Sequence, residues 1–450
     1  MIRNRKVSVI LRFSIRQYQS QSKFKVLGNE EVIQNVENNV YSARRHPGIV
    51  KQPTNALPDN VVKSIRNIIE DHPIKLLAQS ATLLNRKLLG RLPPMEAEGV
   101  SELKSNIFEK VMSKEASKVA PDKLETDQFK QKVKDKVINM LKVHVYNWSP
   151  IVYDAYNSLV YLIGRSAPEY SVLVKIFTEI QLRDKDFKPR SLFDFGSGVG
   201  TVTWAANIFW KQNLFEYYNV DTSSFMNDLA QIILQGGRGS KQSNLKGVYY
   251  RQFMPSNNTT YDLVVSAYTL MELPSFQSRM EAVMNLWNKT ERYLIIVELG
   301  TKAGFNIINE ARDFVLQIKD ERNRGHVFSP CPHDFACPKY MSSNYACNFE
   351  VNFINSSTSE RMQLMKEQYS YVVLKKGARD ERDERWPRAV KETLVRSKHS
   401  ICRLCTANGS LDEVIFTASK HGKSTFHCAR STKWGDRLPV TLTTKSEEDN

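Results

Sequence analysis

Hydrophobic positions change their spacing twice along this chain of 450 residues. From about residue 30 to 185 they recur every three or four residues, the period of amphipathic helices. Val61–Ile69, Leu76–Leu88, Val100–Val111 and Phe129–Val143 carry that pattern. Pro47, Pro53, Pro58, Pro73, Pro93, Pro94 and Pro121 punctuate them, because proline cannot continue a helix. Tyr153–Ile163 and Tyr170–Ile180 predict two more helices, with Arg165 to Pro168 as the turn between them. At Pro189 the texture changes. Short apolar runs at Ser191–Phe195, Glu216–Val220, Leu263–Ala267 and Tyr293–Val297 alternate with helical stretches at Val202–Trp210, Phe225–Leu234 and Ser275–Trp287. Such runs read as buried parallel strands. Their alternation with helices predicts an α/β, doubly wound sheet. From about Gly325 cysteines, basic runs and strand-like stretches at Tyr369–Lys375 and Glu413–Ala418 take over.

Composition narrows the function classes. Apolar residues make up 41% and charged residues 25%, enough for a packed core and against a disordered chain. No apolar run approaches the roughly 20 residues that span a bilayer, so no membrane insertion is expected. Lys plus Arg is 64 against 48 for Asp plus Glu, a net charge of +16. A chain this basic most often meets nucleic acid. Residues 1–29 hold no Asp or Glu, and Arg3, Arg5, Lys6, Arg12 and Arg16 are interleaved there with Val7, Val9, Ile10, Leu11, Phe13 and Ile15. One basic and one apolar helical face is the make-up of a mitochondrial presequence. The alternative is a basic arm on a cytosolic RNA binder. The expected division is therefore presequence 1–29, helical region 30–188, α/β core 189–324, a cysteine-rich part 325–440 that completes the sheet, and a tail 441–450.

Leu192-Phe-Asp194-Phe-Gly196-Ser-Gly198-Val-Gly200 joins the first strand to its helix. The glycines let the backbone turn sharply and approach a ligand, and the helix start beyond offers free N–H groups. The spacing is G-x-G-x-G, not the G-x-G-x-x-G of dinucleotide binders. Asp194, two residues ahead, fits the pattern of S-adenosylmethionine (SAM)-dependent methyltransferases. Asp221 ends the next strand, where an acidic group can accept ribose hydroxyls. Asp194, Gly196, Gly198, Gly200 and Asp221 form the candidate SAM-binding set; the alternative is a structural turn that binds nothing. No catalytic group is identified. The stretch from Tyr268 to Pro274 lacks the Asn/Asp-Pro-Pro-aromatic motif of amino-group methyltransferases, and no cysteine precedes Cys331 to act as a nucleophile. Glu272 is either a base or a solvated residue at a helix start.

All six cysteines lie in the last third: Cys331, Cys337, Cys347, Cys402, Cys405 and Cys428. Clustering in a reducing compartment argues for metal before disulfides. Thiolates suit zinc or an iron–sulfur cluster, and His333 could complete a Cys3His zinc site. The C-x5-C spacing of Cys331 and Cys337 decides between neither.

These motifs together resemble the mitochondrial ribosomal small-subunit methyltransferase-like family over roughly residues 150 to 440. The resemblance rests on Tyr161-Leu-Ile-Gly-Arg165, Pro168-Glu-Tyr170, the glycine loop, Val297-Glu-Leu-Gly-Thr-Lys-Ala-Gly304, Cys331-Pro-His-Asp-Phe-Ala-Cys337-Pro, Tyr369-Ser-Tyr371 and Trp434-Gly-Asp436. It implies a class I SAM-dependent methyltransferase-like fold in the mitochondrial matrix. It further implies a role in small-subunit assembly, with small-subunit rRNA, ribosomal proteins and assembly intermediates as partners. It implies a [4Fe–4S] cluster on Cys331, Cys337, Cys347 and Cys405, the last chosen over Cys402 because Gly409 follows it. The implied protein binds SAM with weak or no catalysis; the alternative is an active rRNA methyltransferase. Trp386 to Arg403 is the first candidate RNA surface and Arg430 to Trp434 the second, each with a structural alternative. Arg379 to Arg385 reads as a solvated face.

Overall fold

The computed structural model describes residues 24–444 apart from 146–147, 240–241, 244, 343–344, 356–362 and 382. Most of the predicted presequence, residues 1–23, lies outside them, as do residues 445–450 of the tail.

A strand, β1 (Phe24–Gly28), opens the described chain, followed by helices α1 (Glu30–Glu37), α2 (Asp59–Ile69), α3 (Ile74–Leu89), α4 (Ala97–Ala116), α5 (Asp127–His144) and α6 (Ala155–Arg183). The helices α2 to α5 fall where the apolar spacing placed them. α4 and α5 make a small core of their own from Ile107, Val111, Phe129, Val133 and Val137. The break expected near Pro168 is absent, and α6 runs through it for 29 residues. Pro168 cannot donate to the Gly164 carbonyl one turn back. That carbonyl accepts instead from Asn85 Nδ2 of α3 at 3.3 Å. Gly164 also lets the two helices meet, since an added Cβ would stand 3.2 Å from that of Ala81. Tertiary contact thus supplies what the proline removes.

The central sheet comprises β2 (Ser191–Phe195), β3 (Glu216–Val220), β4 (Val248–Arg251), β5 (Tyr261–Ala267), β6 (Thr290–Leu299), β7 (Gly325–Ser329), β8 (Phe349–Asn355) and β9 (Gln363–Lys376). Between them run α7 (Thr201–Trp210), α8 (Ser224–Leu234), α9 (Phe276–Asn288), α10 (Lys302–Leu316) and the short α11 (Pro338–Ser342). The order is β4-β3-β2-β5-β6-β9-β7, with β8 also on β9. β2 to β6 pair in parallel, while β9 runs antiparallel between β6 and β7. Alternate residues face opposite layers, as the pleat requires. Leu263, Val265 and Ile295 join α6, α7 and α8 in one core. Val264, Leu294 and Ile296 join α9 and α10 in the other.

A third body follows: β10 (Arg388–Ala389), β11 (Leu394–Val395), β12 (His399–Cys405), β13 (Leu411–Thr417), α12 (Ala418–His421), α13 (Lys423–Ser431) and β14 (Val440–Thr444). β10, β11 and β13 all pair antiparallel with β12. Trp386, Cys402, Leu404, Phe416, Cys428 and Leu438 form its core, joined by Val32 of α1. β14 pairs with β1. Each of these two strands, one from either end of the described chain, satisfies the other's backbone. Among the described residues, no helix is long and apolar enough to cross a membrane.

Candidate functional site

The glycine loop lies at the carboxyl end of β2, where open α/β sheets place their ligands. Gly196, Gly198 and Gly200 adopt φ of +73°, +49° and +93°, a region that favours glycine. The N–H groups of Gly196 and Ser197 both donate to the Val220 carbonyl. Asp221 accepts from Gly198 N–H and Ser223 N–H, each at 2.9 Å. The carboxylate expected to meet a ribose thus also clamps the loop. A Cβ on Gly196 would come within 2.0 Å of Thr269 Oγ1, whereas one on Gly198 meets nothing nearer than Tyr161 at 3.9 Å. Gly196 is packed, and Gly198 faces the cleft. Asp194 is fully buried, and neither carboxylate oxygen has a hydrogen-bond partner. Burial pushes its pKa far above the carboxylate range, with Asp221 adding to the shift. An orphaned buried acid beside an open cradle fits a ligand that brings a donor or a positive charge.

The other wall of the cleft comes from α6 and its approach, which sequence reasoning left unassigned. Ser223 Oγ holds the Tyr153 carbonyl at 2.6 Å, and the Tyr153 and Tyr161 rings meet edge to face. Tyr161 donates to Glu169 Oε1 at 2.6 Å. Arg165 bonds Glu169 at 3.1 Å and Glu367 of β9 at 3.0 Å, with Tyr268 beneath its guanidinium. Burial raises Glu169 to about 7 and Glu298, at the end of β6, to about 8. These groups leave a cavity of about 20 Å³, room for a water molecule and little more. The i, i+4, i+8 spacing of Tyr161, Arg165 and Glu169 was the available signal that one helix face carried this set. Glu272 lies at the rim, 2.8 Å from Arg91. It is half-buried and ion-paired rather than freely solvated.

The six cysteines separate into two groups. Cys331 follows β7, Cys337 precedes α11, Cys347 precedes β8, and Cys405 ends β12. Each of these four thiols lies within electrostatic reach of the other three. Burial raises Cys331, Cys347 and Cys405, while Arg312 lowers Cys331 and Cys405. Arg312 also holds the loop between Cys331 and Cys337 through the carbonyls of His333 and Phe335, at 3.3 and 2.6 Å. His333 Nε2 is 3.4 Å from Cys405 Sγ. Cys402 points the other way, with Thr393 Oγ1 and the Ala429 carbonyl each 3.6 Å from its sulfur. Cys428 is buried in that same core. Among the described residues, no group of three or more His, Cys, Asp or Glu is arranged to hold a metal ion. The four thiols are therefore neighbours without the close packing of a single-ion site.

Arg388 ties this region together. Its Nε donates to the Pro330 carbonyl at 2.8 Å, beside Cys331. Nη1 reaches Glu179 of α6 at 3.0 Å and the Gly435 carbonyl at 2.8 Å. Nη2 reaches Glu179 at 2.6 Å and Ser329 Oγ at 3.1 Å. All five guanidinium hydrogens are engaged. Within the first basic segment Arg388, 1% exposed, and Trp386, at 5%, are structural, the tryptophan under the Arg437 guanidinium, whereas Lys391, Arg396 and Lys398 are exposed. Arg379, expected on a solvated face, is buried against Asp334 and Asp383.

A sheet of this order, with a reversed strand between the last two and a glycine loop after its first, defines a class I SAM-dependent methyltransferase-like protein. The family described as mitochondrial small ribosomal subunit Rsm22 matches residues 155–439, and the chain belongs to it. It is 36% identical over 402 residues to human "Ribosome assembly protein METTL17, mitochondrial", covering 88% of this chain and 86% of that protein. It is 27% identical over 323 residues to "Rsm22-cox11 tandem protein 2, mitochondrial" of Schizosaccharomyces pombe, covering 62% of this chain and 42% of that protein. Among solved structures, SAM-bound magnesium protoporphyrin IX methyltransferase of Synechocystis is 14% identical. It covers 56% of this chain and 93% of its own, with a TM-score of 0.30.

Proposed function

We propose that this protein is an assembly factor of the mitochondrial small ribosomal subunit that grips its rRNA, and that its methyltransferase-like cleft holds SAM without transferring the methyl group. The localisation is the mitochondrial matrix, in keeping with relatives named mitochondrial. The observation that carries the reading is the state of the cleft: the glycine cradle is kept, while Tyr153, Tyr161, Tyr268 and the Arg165–Glu169 pair occupy the space beyond it. Gly198 and Asp221 would hold the cofactor, and Asp194 would face its positive end. SAM supplies an electrophilic methyl when bound. In this reading SAM acts by binding only the folded form.

Cys331, Cys337, Cys347 and Cys405 would hold a [4Fe–4S] cluster. A single zinc at about 2.3 Å from each sulfur draws four thiolates into contact, whereas a cluster takes each thiolate on a separate iron. Four thiols within electrostatic reach of one another support a shared metal group on this set. Cationic Arg312 and Arg388 nearby suit its negative charge.

The test is a rescue. After depletion, the chain is restored with Gly198→Arg, which fills the open side of the loop and spares the packed Gly196. Mature mitochondrial small subunits and the rRNA methylation map are then measured. Fewer small subunits with an unchanged map are expected. A missing methyl mark would establish the rRNA methyltransferase instead, and unchanged small subunits after depletion alone would sink the assembly reading.

A further inference from the structure

A wide groove lies outside the cleft and the cysteine site. It measures about 1490 Å³, above the roughly 300–1,000 Å³ of small-molecule pockets. Five parts of the chain wall it: residues 36–55 after α1, Lys175 of α6, the facing strands β8 and β9, the loop before β11, and the end of α13 with Trp434 and Asp436. Lys366 is paired with Glu350 at 2.6 Å. The Asp436 oxygens are taken by the Val50 and Lys433 N–H groups. Arg44, Lys51 and Lys433 are exposed and have no acidic partner among the described residues. Trp434 adds an indole Nε1 that is buried and unpartnered, with Lys391 above its ring.

We propose that this groove is the seat of a single-stranded RNA segment, its phosphates on Arg44, Lys51 and Lys433 and a phosphate oxygen or 2′-hydroxyl on the Trp434 N–H. The proposal rests on the rRNA-gripping reading above and assigns it a surface. Unpaired cations along one groove suit a regularly charged backbone. Neutral donors and acceptors between them, such as Gln52, Asn55 and Asn352, suit sugars and bases. An acidic protein segment shares the charge, but protein hot spots need deep aromatic or aliphatic anchor pockets, and between these cations stand the amides of Gln52, Asn55 and Asn352.

The test is fluorescence anisotropy of the full chain with a labelled, mixed-sequence RNA of about 12 nucleotides, within single-strand site sizes. Salt is varied throughout. Lys51→Glu/Lys433→Glu is compared with Lys134→Glu/Lys142→Glu, an equal charge reversal on the exposed face of α5. The groove pair is expected to weaken binding about tenfold or more and to lower the salt slope by about 2, and the α5 pair to change little. Trp434→Phe, which keeps a ring and loses the N–H, is expected to weaken binding about threefold to tenfold at unchanged melting temperature. Equal effects of the two reversals would overturn the groove and leave RNA binding standing. No binding by the unmodified chain would overturn both. Polyglutamate that competes as well as RNA at equal charge would assign the groove to an acidic protein segment and overturn the proposal.

Discussion

The floor of the cofactor cleft is one unbroken stretch, Leu192 to Gly200, whereas the four neighbouring thiols come from Cys331 through Cys405 and from the ends of two different sheets. In the first site the backbone is the recognition element, and a local run of glycines sets its φ angles. In the second the side chains meet only as the antiparallel β12 body docks against the loop after β7. Arg388 makes that docking specific through Pro330, Ser329, Gly435 and Glu179. A local site can survive a docking error, and a nonlocal one cannot.

The largest expected effect tests which cysteines belong together. Cys405→Ser should abolish visible-region absorbance in protein purified without oxygen, and Cys402→Ser should leave it intact. Equal loss in both would erase the separation of the two cysteine groups. Next, Arg388→Ala removes the two-point partner of buried Glu179, leaving it Arg183 at 3.0 Å, and should cost about 3 kcal/mol in urea unfolding. A cost below about 1 kcal/mol would mean that other contacts dock the two bodies. In the local site, Gly196→Ala drives a Cβ into Thr269 at a positive φ and should cost about 3 kcal/mol. Gly198→Ala, with the cleft before it, should cost about 1 kcal/mol and weaken SAM binding more than stability. Equal costs would mean that the loop is not packed as described.

The last effect concerns the cleft wall. The Glu298 carboxyl is raised from 4.5 to about 8 by burial, so the folded state keeps a proton that the unfolded chain releases. Its stabilising effect is full on the acid side, below about pH 4.5, and is lost as pH rises through 8. Between pH 6 and pH 8 that loss amounts to about 2 kcal/mol. Glu298→Gln should flatten this part of the stability profile, measured by denaturant unfolding at each pH. An unflattened profile would place the titration elsewhere, with Glu169 the next group to test.

The helices from Val61 to Val143 and the strands at Ser191, Glu216, Leu263 and Tyr293 were legible because a core-facing stripe or a doubly buried strand leaves its own period in the chain. The glycine loop was legible because a positive φ asks for glycine at the position itself. By itself, then, the sequence determined which segments are helix or strand, where the glycine loop lies, and that all six cysteines fall in the last third. Tertiary structure alone decided the rest. It carried α6 across Pro168 by giving the Gly164 carbonyl a partner on α3, and it sent Cys405 toward Cys331 and Cys402 away. It buried Arg388 and Arg379 against acids remote from them in sequence, and left Arg44, Lys51 and Lys433 open in a groove. The reason is the range of the forces. Backbone conformation is set by neighbours a few residues away, whereas burial and charge pairing depend on which distant surfaces meet.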